Sequence, residues 1–146
     1  MMKGMDMPNR NYIRGRNKEY EAMRYLNTMY LALRTAGSHS PFDVVGLGKN
    51  NVMLVQLKRR KDMPKSYKGW KSLRTKSINM TKKIFKENKE NIPLNAWVCL
   101  WTWLDYVGWL QINYCVAEDR TVVRYIGKSK QCERYENTIK QLSESE

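Results

Sequence analysis

Two apolar runs of strand length, residues 42–47 and 52–58, flank the four residues Gly48-Lys49-Asn50-Asn51, and this pattern restricts the fold more than any other. Gly and Asn are turn residues, and runs rich in Val and Leu but this short do not make a long helix, so the segment predicts a β-hairpin. Upstream, Tyr20, Met23, Leu26, Tyr30 and Leu33 recur at spacings of three and four. That period predicts an amphipathic helix over 17–33, with Gly15 as a turn and Asn17 as its N-cap. A short strand over 33–36 and the loop Gly37-Ser38-His39-Ser40-Pro41 would then lead into the hairpin.

Beyond the hairpin, Pro64 and Gly69 punctuate the chain, and a basic helix is expected from about Lys71 to Asn88, with Leu73, Ile78, Ile84 and Phe85 as its apolar members. Two more strands are predicted over 96–103 and 108–116, joined by 104–107. Trp97, Val98, Leu100, Trp101 and Trp103 crowd both faces of the first, which suits a strand buried on both sides. A last, mostly polar helix is expected over 128–142. The predicted class is therefore α/β, with a central mixed five-stranded sheet flanked by helices. A flexible arm over 1–12, a domain over 13–116 and a C-terminal extension over 117–146 complete the expected organisation.

A chain of 146 residues, 42% hydrophobic, has the length and composition of one folded domain. Its 27 Lys and Arg against 14 Asp and Glu leave a net charge of +13, which points to a polyanionic partner, nucleic acid before membrane. The charge is concentrated. Residues 58–90 hold 13 basic and 3 acidic side chains, whereas residues 91–146 hold 6 and 7. His39 is the only histidine, so a His/Cys zinc cluster or a Ser-His-Asp triad lacks material. Cys99, Cys115 and Cys132 match neither a zinc ribbon nor a CxxC pair and read as reduced thiols. With no apolar h-region at the start and no apolar run near 18 residues, an intracellular, cytoplasmic protein without a membrane partner is expected.

If the 48–51 turn joins paired strands, Asp43 and the Gln56/Lys58 pair meet at one end of the hairpin, and residues two apart on a strand share a face. Asp43, the Gln56 side-chain carbonyl and the Leu57 backbone carbonyl then offer hard oxygen ligands for Mg²⁺. Lys58 is placed to polarise a water beside a phosphate. Glu19 and Glu21 suit the first turn of the opening helix through its dipole, and a carboxylate there is close enough in the chain order to join the site.

The runs Gly15-Arg16-Asn17-Lys18-Glu19-Tyr20-Glu21, Leu33-Arg34-Thr35-Ala36-Gly37-Ser38, Phe42-Asp43-Val44-Val45 and Leu54-Val55-Gln56-Leu57-Lys58 together closely resemble the archaeal type of Holliday junction resolvase, a branch of the PD-(D/E)xK nuclease superfamily. The resemblance covers roughly residues 11–116. It implies Glu19, Asp43 and Gln56 as the metal-side residues, with the Leu57 carbonyl, Lys58 as the catalytic lysine and Ser38 as the active-site serine. DNA contacts are implied at Arg14, Gly15 and Lys61, with Arg16, Lys18, Arg59 and Arg60 nearby.

Two residues depart from the family's pattern. Gln56 stands where Glu is usual, removing one formal charge, and Tyr20 stands where Arg is common. A phosphate contact expected at the latter must come from Arg16 or Lys18, or be absent. The resemblance implies a Mg²⁺-dependent endonuclease, Mn²⁺ substituting, that works as a two-fold homodimer on four-way junction DNA without an organic cofactor and leaves 5′-phosphate ends. Other branched or linear DNA, or DNA binding without cleavage, are the competing expectations. His39 reads as a loop residue or backbone contact, and the tryptophans of 97–109 as core or subunit interface.

Overall fold

The computed structural model describes residues 10–35, 40–61, 64–105 and 108–127. In chain order they form α1 (Arg10–Leu26), β1 (Leu31–Arg34), β2 (Val44–Leu47), β3 (Val52–Arg60), α2 (Tyr67–Asn88), a 3₁₀ turn (Lys89–Asn91), β4 (Ala96–Leu104), β5 (Gly108–Cys115) and β6 (Arg120–Gly127). The strands lie side by side in chain order as one six-stranded sheet. β3 and β4 are parallel and the other neighbours antiparallel, so α2 is the crossover that a parallel pair requires. The α/β class with a mixed sheet is as expected; the strand count is six rather than five.

The helix α1 begins seven residues before Asn17 and continues through Gly15, which weakens a helix without ending it. It also stops earlier, at Leu26. Asn27 Oδ1 accepts the Ala32 N–H at 3.0 Å, reversing the chain into β1. Tyr30 and Leu33 continue the helical spacing, but from Leu31 the burial alternates with the period of a strand, and pairing with β2 decides the outcome. The helix α2 starts at Tyr67, where the Ser66 hydroxyl accepts the Gly69 N–H at 3.1 Å, a cap worth about 1 kcal/mol. The sixth strand falls inside the stretch expected to be an extension. Its turn contains Asp119 at φ 50, a left-handed conformation that Asp tolerates better than most residues. The helix expected over 128–142 lies outside the described residues, as does the arm up to residue 9.

Among the described residues, one helix covers each face of the sheet. α1 lays Ala22 and Leu26 on Val44, Val55, Cys99, Trp101 and Trp109. On the other face α2 sets Trp70 and Leu73 against Leu104, Leu110 and Ile112, and Ile84 against Val98 and Tyr114. Both sides of β4 and β5 are therefore largely buried; of the tryptophans that blur the alternation of β4, Trp101 is a core residue, and Trp97 and Trp103 are partly buried against the same cluster. No helix among the described residues is long and apolar enough to cross a membrane.

The 48–51 connection is closed by Gly48 N–H donating to the Asn51 carbonyl at 2.9 Å. Gly48 is required for close approach: a Cβ there would lie 2.7 Å from Asn51 Oδ1 and 2.8 Å from Tyr30 Cε1. The Asn51 amide donates to the Tyr30 hydroxyl at 3.1 Å, so neither neighbour moves freely. Gly48→Ala is expected to cost about 1–3 kcal/mol through overpacking, read as a lower urea midpoint with an unchanged slope.

Candidate functional site

The site is organised by Asp43, one residue before β2. Its N–H donates to the Val55 carbonyl at 2.8 Å and its carbonyl accepts the Thr35 N–H at 3.0 Å, so the backbone is held by both neighbouring strands. The paired register of β2 and β3 ends at Val44↔Val55, and Asp43, one residue beyond it, still bonds Val55, so the regular ladder is interrupted there. Val55 faces α1, so alternation along β3 turns Gln56 and Lys58 to the other face, toward α2; Asp43 sits where the chain switches faces, between Phe42 on the α2 side and Val44 on the α1 side.

The Asp43 side chain also reaches β3. Its Oδ2 accepts the Leu57 N–H at 2.8 Å. Val55 bonds β2 through its carbonyl, and Leu57, two residues on, turns its N–H and carbonyl to the same side, beyond the end of β2. Asp43 is partly buried, and desolvation raises its carboxyl pKa, with the Leu57 N–H acting in the opposite direction. A divalent cation at Asp43 would offset that desolvation.

Lys58 is exposed, and its Nζ rests on the Met80 thioether of α2 at 2.8 Å. Sulfur is a weak acceptor, so this contact holds the ammonium lightly. Lys58, Arg60, Lys76 and Ser77 line a groove of about 250 Å³ between the end of β3 and α2. With Arg59, four cations line the groove, which suits a phosphate. Lys76 was not singled out from the sequence, because only the packing of α2 brings it beside Lys58.

Neither a protein-family model nor a curated protein matches this chain.

The other expected site residues are placed differently. Glu19 stands on α1, where its carboxylate pairs with Arg34 at 3.3 Å. Arg34 also donates to the Tyr20 hydroxyl at 2.9 Å and stacks over that ring at 4.7 Å. A guanidinium thus occupies the surroundings of Tyr20 after all, supplied by β1. Lys18 pairs with Glu21 at 2.9 Å and lies 3.4 Å from the centroid of the Trp103 ring. Burial lowers its pKa, Asp105 opposes the change and Arg59 adds to it. Arg59 is itself bound by Asp105 through two hydrogen bonds, at 3.1 and 2.6 Å. Lys18 and Arg59 are therefore engaged within the fold; Arg60, at the end of β3, and Lys61 after it are solvent-exposed. Arg14, Gly15 and Arg16 lie in α1. Ser38 and His39 lie outside the described residues.

Among the described residues, no three His, Cys, Asp or Glu side chains come together as a metal site. The oxygen donors nearest in the chain to the Asp43–Leu57 contact are Asp43 itself, the Leu57 carbonyl and the amide of Gln56, the residue before it, an all-oxygen set with one carboxylate. Mg²⁺ commonly takes one or two carboxylates and completes its shell with water and substrate phosphate. The set fits a hard divalent cation, held more weakly than by two acids.

Proposed function

We propose that the chain is a metal-dependent, structure-selective DNA endonuclease of the PD-(D/E)xK type, resolving four-way junctions by paired nicks as a two-fold homodimer. The observation that carries this is the Asp43 carboxylate bound to the Leu57 N–H, between Gln56 and Lys58 in the chain. Support also comes from the order of elements, a helix, three antiparallel strands and a crossover helix to a parallel strand.

Asp43, the Gln56 carbonyl and the Leu57 carbonyl would hold Mg²⁺. When bound, the ion supplies an activated water and charge neutralisation at the departing oxygen. Lys58 orients that water and offsets charge developing on the phosphorane. Arg60 and Lys76 hold the flanking phosphates, and exposed lysines of α2 extend the track along the sugar-phosphate backbone without reading bases. A two-fold dimer matches the two equivalent strands of a junction with one site per subunit.

Gln56→Glu tests the amide-ligand assignment. Restoring the second charge is expected to lower the Mg²⁺ concentration for half-maximal junction cleavage by about tenfold, on the scale of ligand-set changes. An inactive Gln56→Glu enzyme would show that the amide is not a ligand. A second reading, a junction-binding module that does not cut, is favoured by the engagement of Glu19 with Arg34 and by the neutral Gln56. It requires tight binding with no Mg²⁺-dependent product.

A further inference from the structure

The face of the sheet turned away from Gln56 and Lys58 carries a second constellation. Register aligns Trp97, Cys115 and Arg120 across β4, β5 and β6, and four residues along the strands it aligns Trp101, Gln111 and Arg124. Near the C-terminal end of α1 these rows line a cavity of about 400 Å³, closed on the other side by Tyr25 and Asn51. Sites for small organic ligands occupy about 300–1,000 Å³.

Its polar groups are few and placed by the fold. Gln111 is 2% exposed, and its Nε2 is buried without a hydrogen-bond partner. A buried amide left without a partner destabilises the fold, a cost that a bound acceptor would remove. Asn113, between the two rows, accepts the Trp101 indole N–H at 2.8 Å, which fixes that ring. Tyr25 meets Trp101 edge to face at 5.6 Å and, like Trp97, stays partly exposed. Arg120 and Arg124 are exposed at the β6 side, Arg120 also pairing with Glu118 at 2.9 Å.

Aromatic walls take a planar ring, a carboxamide pairs with the donor and acceptor edge of a heterocycle, and guanidinium groups take a phosphate. From this combination we propose that the cavity binds a nucleotide, its base inward against Gln111 and its phosphate outward at Arg124 and Arg120. The nucleotide is either a free mononucleotide or one unstacked from a nucleic-acid strand. The site uses no residue of the Asp43 cluster and stands whether or not the chain cuts DNA.

Isothermal titration of the full chain with AMP, GMP, CMP and TMP, with the matching nucleosides, with inorganic phosphate and with a 5′-phosphorylated single-stranded tetranucleotide tests it. At least one mononucleotide, or the tetranucleotide alone if the source is a strand, is expected to bind at least tenfold more tightly than phosphate or nucleoside. Gln111→Leu should weaken that binding tenfold or more while raising the melting temperature of the ligand-free chain, since it removes the unpaired amide. Arg124→Ala should weaken nucleotide binding and leave nucleoside binding unchanged. The proposal fails if phosphate binds as tightly as every nucleotide, if neither nucleotides nor the tetranucleotide bind, or if Gln111→Leu binds like the parent chain.

Discussion

Replacing Asp43 by asparagine is expected to lower Mg²⁺-dependent junction cleavage by about a thousandfold or more, the scale on which a site loses a principal electrostatic element. Junction affinity should stay within about twofold, because phosphate contacts carried by Lys and Arg dominate binding. The asparagine carbonyl can still accept the Leu57 N–H, so the local structure survives. Stability should change in the opposite sense to activity. Burial holds the Asp43 pKa above its ordinary 3.8, so the stability due to its neutral form is present below that value and is lost as pH rises through the raised value. At neutral pH the ionised carboxylate therefore costs stability, and the neutral amide removes the cost. In EDTA at pH 7.5 the variant should melt above the parent chain, the difference shrinking toward pH 4, and Mg²⁺ should raise the melting temperature of the parent alone. Parental cleavage rates in Asp43→Asn, or a variant that melts lower in EDTA, would remove Asp43 from the proposed metal site.

Trp101→Ala should give the largest loss of stability. The side chain is 1% exposed, donates to Asn113 at 2.8 Å and meets Tyr25 and Trp109 edge to face at 5.6 and 6.3 Å. Truncating a buried Trp costs about 3–5 kcal/mol, against a total stability of about 5–15 kcal/mol for a typical domain. The melting temperature is expected to fall by about 10 °C or more. Trp101→Phe keeps most of the packing and leaves Asn113 Oδ1 unpaired, so its loss should be about 1–3 kcal/mol. Urea midpoints of the two variants separate the packing contribution from the hydrogen bond. Equal losses would mean that the indole N–H, and not the volume of the ring, holds the α1 face together.

The Asp43, Gln56 and Lys58 grouping is legible because it follows from local arithmetic. A four-residue connection that pairs Leu47 with Val52 brings the start of β2 back beside β3, and Asp43, one residue before β2, bonds Val55 and Leu57 in the stretch that also holds Gln56 and Lys58. The end of α1 is not legible in the same way. Tyr30 and Leu33 fit a helix by spacing, and only pairing with β2, settled elsewhere in the chain, draws 31–34 into the sheet. The alternating run from Arg120 carries a strand pattern, but its turn lacks Gly and Pro and relies on Asp119 in the left-handed region. Ion pairs between residues distant in sequence are the hardest to foresee. Glu19 meets Arg34 15 residues away, and Arg59 meets Asp105 46 residues away. Both pairings alter how the charge pattern is used: one engages a carboxylate expected beside Asp43, the other engages an arginine of the basic 58–90 stretch.

The most direct measurement compares an immobile four-way junction with linear duplex of the same sequence, each incubated with the full chain in Mg²⁺ and in EDTA. Paired nicks at symmetric positions on the junction are expected in Mg²⁺, with none in EDTA and little cutting of the duplex. A junction bound tightly but left intact in both Mg²⁺ and Mn²⁺ would contradict the assignment of a nuclease, and equal cutting of the linear duplex would contradict its selectivity for the junction.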